Sequence, residues 1–304
     1  MAMKDITGWL VVNRFLHTNK FSDIAARFMA SAESFGVTLS LFTNDELLPC
    51  IGGGTAGDFD LLPPYSPDFV LFYDKDVRLA EQLEKRGMRL FNSARAIELC
   101  DDKSLTHSAL CGLVPMPRTY CAPFTYENIG YNDTSFAEKL FITLGSPLVI
   151  KEVCGSFGQQ VYLAHDPSEA EEILKRIGGK RVIFQEFIRT SFGRDIRLNV
   201  VGGRVIASML RYNEHGDFRA NISNGGSMQK YQPTPEEEAL AIRTASLLGL
   251  DFCGVDLLFG EEGAPMVCEV NSNAHFKSIY DCTGVNAADE IMAHILRTVD
   301  GAGS

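Results

Sequence analysis

The chain opens on an unbroken apolar run, Thr7–Val12 (TGWLVV), which predicts a buried strand. The segment FSDIAARFMASAESFG then places Phe21, Ile24, Ala25, Phe28, Met29 and Ala32 at helical spacing and stops at Gly36. VTLSLF predicts a second strand, DFVLFYD (68–74) a third, VRLAEQLEKRG a helix and RLFN another strand. Strands alternating with helices predict a parallel sheet, an α/β unit that ends near residue 101.

From Asp101 the pattern changes. DDKSLTHSALCG reads as a helix capped by Asp101 or Asp102 and stopped at Gly112. VPMPRTY starts an extended region. PLVIKEV, QQVYLA, a helix PSEAEEILKRIGG and RVIFQEFI then make a small α+β unit. RDIRLNVVGGRVIASMLRY predicts a hairpin turning at Gly202 and Gly203, followed by the polar stretch NEHGDFRANISNGGS. In TPEEEALAIRTASLLG, Thr234 caps a helix, Pro235 takes its first position and Glu237 closes a capping box. A hairpin over 253–273 and an amphipathic helix, VNAADEIMAHILRTV, end the chain. The expected units are 1–101, 102–189 and 190–304.

The hairpin CGVDLLFGEEGAPMVCEVNSN raises the first chemical question, because each of its apolar strands carries one acid. With the turn centred on Glu262 and Gly263, Asp256 faces Glu269, Leu258 faces Val267 and Gly254 faces Asn271. Val255, Leu257 and Phe259 then share an apolar core face with Met266, Cys268 and Val270, and Asp256, Glu269 and Asn271 share the other. Opposed like charges are unfavourable in a sheet. Either this face is solvated, or a divalent cation lies between the acids. Two carboxylates and an amide suit Mg²⁺ completed by water and phosphate oxygens, and Gly254 leaves space for a ligand.

Other residues extend that picture. KEVCGSFGQQV puts Lys151 at a strand end and a glycine link, Gly155, Ser156, Phe157 and Gly158, before the next strand. Such a link is a hairpin turn or a backbone cradle for phosphate. It does not match the P-loop pattern. Lys103 sits in the first turn of its helix, where a cation opposes the helix dipole unless Asp101 and Asp102 or a phosphate offset it. FQEFI (184–188) is a strand whose edge could read a base. Arg197, Arg211 and Arg219, near Asp195 and Asn221, are surface ion pairs or clamps for carboxylate and phosphate. GGGTAG (52–57) formally matches G-x-G-x-x-G but lies between no strand and helix, so it reads as loop.

Composition narrows the function classes. A net charge of −11 argues against nucleic acid or an anionic membrane as main partner. No window reaches eighteen consecutive apolar residues, and the N-terminus does not read as a signal peptide. The 8 cysteines form no C-x-x-C pair, so reduced thiols in a cytoplasmic protein are expected. Of the histidines, only His275 stands beside the acid pair. No G-x-S-x-G motif or Cys–His pairing supports nucleophilic catalysis.

The order Lys103, VIKEVCGSFGQQV, QEFI, GRDIRLNVVGGRVIASMLR, GDFRANISNGGS, GVDLLF…EVNSN resembles the ATP-grasp superfamily over roughly residues 90–300. Within it the chain is most similar to RimK-like carboxylate–amine ligases. The resemblance implies an ATP-grasp fold of α/β and α+β parts. Residues 1–101 would be the preATP-grasp (Rossmann-like) domain, 102–189 the central lid subdomain, and 190–304 the C-terminal subdomain with the metal site. It implies Lys103 and Lys151 on ATP phosphates, the Gly155–Gly158 link as a lid, and Gln185, Glu186, Phe187 and Ile188 at the adenine hinge. Asp195 would hold ribose, and Arg219 and Asn221 would face the γ-phosphate. Asp256, Glu269 and Asn271 would bind one or two Mg²⁺, with Mn²⁺ able to substitute, and Arg197 and Arg211 would anchor substrate or acyl phosphate.

The implied chemistry is attack of a carboxylate on the γ-phosphate, then of an amine on the acyl phosphate. The substrates would be a small carboxylate, or a peptide or protein C-terminus, and an amino acid. Related ligases often form homo-oligomers. After EVN the chain continues SNAHFKSI, unlike the Ser-Pro-Gly-like continuation of RimK-type glutamate ligases and closer to amino-group-carrier ligases of lysine biosynthesis. Competing readings are an ATP-grasp small-molecule kinase and a nucleotide-binding regulatory protein without turnover.

Overall fold

The computed structural model describes residues 5–16, 19–52, 60–155, 158–222 and 225–301. Ser156, Phe157 and residues 53–57 of the GGGTAG stretch lie outside them.

The first unit is a parallel sheet. β1 (Thr7–Val12) lies between β2 (Thr38–Thr43) and β3 (Phe69–Phe72), and β4 (Leu90–Phe91) completes the order β2-β1-β3-β4. Its middle strands are apolar throughout because both faces are covered. On one face Leu10, Phe69 and Leu71 pack against α1 (Asn19–Ser34) and the C-terminal helix α9 (Ala287–Gly301). On the other, Trp9, Val11, Val70 and Phe72 pack against α2 (Val77–Lys85) and α3 (Ala94–Asp101). The sequence reading had no α3. It runs straight into α4 (Lys103–Leu110), and Asp102 ends one helix and caps the next, its Oδ1 accepting from the N–H of Ser104 (2.8 Å) and Leu105 (3.2 Å).

The central unit is an antiparallel sheet in the order β5-β8-β6-β7, from β5 (Thr119–Cys121), β6 (Leu148–Glu152), β7 (Val161–Ala164) and β8 (Val182–Glu186). It keeps its own core, in which Ile150 and Phe184 meet α5 (Ser135–Leu144), also absent from the sequence reading, and α6 (Pro167–Ile177).

The third unit is a five-stranded sheet, β11-β10-β9-β12-β13, built from β9 (Arg194–Val201), β10 (Arg204–Tyr212), β11 (Ser227–Lys230), β12 (Phe252–Phe259) and β13 (Pro265–Asn271). β9 and β10 join through Gly202 and Gly203, both at positive φ (55° and 73°), the backbone a tight hairpin turn needs. On one face of the sheet Ile196, Leu198, Val200, Val255, Leu257, Val267 and Val270 pack against α7 (Pro235–Leu247). On the other face the end near that turn is also apolar. There Val201, Met209 and Phe252 merge into the core of the first unit, with Ile279 of α8 (Lys277–Thr283) and Ile291 and Ile295 of α9.

The capping box of α7 forms as its sequence predicts. Glu237 N–H donates to Thr234 Oγ1 (3.2 Å) and Thr234 N–H to a Glu237 carboxylate oxygen (2.7 Å). Thr234→Ala is expected to lower stability by about 1 kcal/mol in a denaturant titration while catalysis is unchanged.

Candidate functional site

The polar end of the five-stranded sheet faces the central sheet across a cavity. Along β9 the side chains of Asp195, Arg197 and Asn199 alternate with the buried Ile196, Leu198 and Val200, so all three point away from α7. The register places Arg211 beside Asp195, and Asp256 between Arg197 and Glu269.

Four of these groups form a buried row of alternating charge. Arg197 donates through Nε and Nη2 to the two oxygens of Asp256 (2.6 and 2.7 Å). Arg211 Nη2 also reaches Asp256, at 2.9 Å. Arg211 donates through Nε and Nη2 to Asp195 (2.6 and 2.8 Å). Arg211 and Asp256 are 4% and 2% exposed, so solvent screens them little. Burial penalises the charged form of Asp256, but Arg197 and Arg211 outweigh it and hold the carboxyl below its usual range. For Asp195 burial wins, helped by the nearby Asp256, and its pKa rises despite Arg211. Arg211 loses by burial and gains more from the two acids, so it stays firmly charged. The two acids share an arginine and titrate as one unit.

The hairpin of β12 and β13 keeps its expected register only at its functional end. Gly254 faces Asn271, Val255 faces Val270 and Asp256 faces Glu269, but a bulge follows and Leu257, not Leu258, faces Val267. A bulge sets two residues against one. As a result Cys268 lines the cavity with Glu269 instead of joining the core, and Val267 takes the core position. Met266, also expected in the core, is only half-buried. The space over Gly254 is not open to a ligand either: a Cβ there would stand 2.7 Å from that of Ala274.

The opposite wall carries the cations. Lys103 and Lys151 line the cavity from α4 and β6, and Arg219 from the loop after β10. Lys103 Nζ donates to Gly155 O (3.1 Å) and stands 3.8 Å from Glu269 Oε1. Lys151 Nζ lies 3.7 Å from Cys268 Sγ. Arg219 donates through Nη1 to Gly158 O (2.9 Å) and forms an ion pair with Asp217 (2.7 Å). Gln185, Glu186, Phe187 and Ile188 form the cavity rim where β8 ends, and Asn221 lies nearby. The Glu186 carboxylate is turned onto Arg118 (2.7 and 2.8 Å), which leaves backbone and Phe187 to face the cavity. Arg197 and Asn271 sit in the same rows of the sheet but are not part of the cavity wall. The enclosed space is about 100 Å³, below the roughly 300–1,000 Å³ of ligand pockets.

The opposed acids read as either a solvated face or a cation site, and in the fold Asp256 is buried and already neutralised by the arginines. A divalent ion still fits. Among the described residues no three His, Cys, Asp or Glu side chains form a cluster able to hold one. Glu269 is open apart from Lys103, and the Asn271 amide nitrogen is buried without a partner. The oxygens of Asp256 retain lone pairs. Asp256, Glu269 and the Asn271 amide oxygen would be the protein's donors to such an ion, with phosphate oxygens and water supplying the rest.

Sequence reasoning missed His107, although it stands four residues after Lys103 and hence on the same helix face. Its Nε2 lies 3.3 Å from Gln185 Nε2, whose amide donates to Thr119 (2.9 Å). Asp217, which orients Arg219, was also unread.

Comparison with known proteins places the chain. The RimK-like ATP-grasp domain matches residues 128–295. A probable alpha-L-glutamate ligase of Maridesulfovibrio salexigens is 38% identical over 242 residues, 78% of this chain and 76% of that protein. Human N-acetylaspartylglutamate synthase A is 40% identical over 205 residues, 67% of this chain, and the match spans 51% of that protein, about half its length. The crystal structure of a RimK domain ATP-grasp protein from Sphaerobacter thermophilus superposes with a TM-score of 0.70 at 22% identity, covering 95% of this chain and 98% of that one. The fold and site therefore define an ATP-grasp enzyme, an ATP-dependent ligase that joins a carboxylate to an amine. The chain belongs to the RimK-like ATP-grasp family.

Burial, then the charges of Lys151 and Lys103, push the pKa of His107 down from 6.5 to about 4. The unfolded chain takes up that proton first. The stability gained from a neutral His107 is therefore complete above about pH 6.5 and is lost as pH falls toward 4, on the order of 3 kcal/mol in all. In His107→Gln that part of the acid destabilisation should disappear, read as the difference between variant and wild type in denaturant titrations at pH 7.5 and pH 5.

Proposed function

We propose that the cavity binds ATP with its triphosphate against Lys103, Lys151 and Arg219 and its base against the strand end Gln185–Ile188. The supporting observation is the convergence of these three cations, from three separate elements, on a cavity that Asp256 and Glu269 also line. Lys103 and Arg219 now hold carbonyls of the glycine link. A phosphate oxygen is a stronger acceptor and would take over both. The lid role that the resemblance implies for this link falls on Ser156 and Phe157, which lie outside the described residues.

Asp256, Glu269 and Asn271 would hold one or two Mg²⁺ (or Mn²⁺), which supply charge neutralisation at the transferring phosphoryl group. In this reading the substrate carboxylate attacks the γ-phosphorus and ADP leaves. The amine then attacks the acyl phosphate and phosphate departs. The enzyme contributes position and fixed positive charge. Arg211, pinned by two acids and lining the cavity, would face the oxygens that gain charge, and Arg197 would act from behind it through Asp256. Asp195 aligns Arg211 and borders the ribose. No protein nucleophile is called for.

The relatives named above are a glutamate ligase and a synthase of N-acetylaspartylglutamate, so glutamate is the first amine to test. The proposal extends to a small carboxylate, or a peptide C-terminus, as acceptor. It also includes a cytoplasmic location, in keeping with eight free cysteines. No described helix is long and apolar enough to cross a membrane.

Phosphate release is expected to require ATP, Mg²⁺, a carboxylate and an amine together, with amide product equal to ADP formed. A kinase would release ADP without the amine. Glu269→Gln, which removes one charge beside a half-exposed group, should reduce turnover at least about a hundred-fold with its melting temperature retained. Full activity in that variant would remove the metal assignment.

A further inference from the structure

β13 ends at Asn271, and the residues that follow fold back over the sheet. Ala274 lands on Gly254, where an added Cβ would stand 2.7 Å from the Ala274 Cβ and 3.5 Å from Arg197 Nε. This loop is tied to the first unit at three consecutive residues. Asn92, fully buried after β4, donates to Ser272 O (3.1 Å) and Phe252 O (2.9 Å). Its own carbonyl accepts from the N–H groups of Asp251 (2.7 Å) and Phe252 (3.2 Å). Asn273 Nδ2 donates to Asp74 O (2.6 Å). The Tyr73 hydroxyl donates to Ala274 O (2.7 Å). Asp74 is itself fixed, since Asn13 donates to both its carboxylate oxygens (3.1 Å each).

Tyr73 is the informative member of this set. Its ring stacks on Phe252 at 6.2 Å and meets Phe28 and Phe276 edge to face. The ring therefore has its own apolar reason to be there. The hydroxyl donates to a carbonyl three residues beyond Asn271, on the residue that packs over Gly254. The loop contains no helix or strand of its own, so hydrogen bonds and the Ala274–Gly254 contact decide its position.

We infer that Tyr73, through Ala274, is a positioning residue for Asn271 and Arg197. It holds the loop so that the Asn271 carboxamide stays in line with Asp256 and Glu269, and so that Arg197 keeps its place against Asp256. The first unit thereby sets the geometry of a metal site that contains none of its residues. This inference rests on the ligase reading given above. Partners behind a metal ligand are commonly worth ten- to a hundred-fold in metal affinity.

The test uses the full chain and the variants Tyr73→Phe and, separately, Asn273→Ala. Free Mn²⁺ is followed by its electron paramagnetic resonance signal as protein is added in the presence of ADP. Each variant is expected to bind Mn²⁺ about ten-fold more weakly than wild type. Affinity for ADP alone should be unchanged, and the melting temperature of the ligand-free protein should fall by only a few degrees. A purely structural role predicts that same small fall with Mn²⁺ affinity within about two-fold of wild type, and that result overturns the inference. If Tyr73→Phe fails to fold, Asn273→Ala decides by the same criterion. Absence of Mn²⁺ binding by wild-type protein with ADP would overturn the ligase reading, and this inference with it.

Discussion

Four ionisable side chains stand in line inside the molecule: Arg197, Asp256, Arg211 and Asp195. Each charge taken from water costs several kcal/mol, and only well-aligned opposite neighbours recover that. The row closes because β10, β9 and β12 are adjacent and in one register. A slip of one residue would turn every side chain to the opposite face, placing Ile196 and Leu198 among the charges and the arginines against α7. Electrostatics and packing therefore enforce a single alignment, and the site inherits its geometry from both.

Around that rigid row the two lysines are held loosely, and Arg219 is oriented by Asp217. Lys103 and Arg219 rest on carbonyls of the glycine link, contacts that any better acceptor can replace. Lys151 has a thiol near its ammonium group, that of Cys268 at 3.7 Å. The division suits a phosphoryl-transfer site. On the proposed reading, the groups that would orient the reacting carbonyl are locked by buried pairs, whereas those that would meet the triphosphate can change partner at small cost.

Much of this was legible from residue order. The alternation of apolar runs identified the parallel unit, and the acid pair of the last hairpin came out in register because Gly254, Asp256, Glu269 and Asn271 all lie before the irregular end. What failed has physical causes. A bulge inserts one residue without any composition cue, so Cys268 and Val267 exchanged faces. α3 was hidden because Asp102 serves two helices at once and reads as a beginning. α5 carries apolar residues on more than one side, Ile142 being 86% exposed, and gives no clean stripe. The partners of the arginines, and the neutral His107 behind the lysines, depend on contacts between distant elements that no local pattern encodes.

The fusion of two hydrophobic interiors has a further consequence. Because Val201, Met209 and Phe252 are sealed by α1, α9 and the parallel sheet together, that end of the five-stranded sheet has no cover of its own without the first unit. A replacement would have to present the same greasy underside, along with a tyrosine and an asparagine where the returning loop expects them. Diversification of acceptor choice in such an architecture is thus channelled into surface loops at the strand ends, while the scaffold beneath is inherited as one piece.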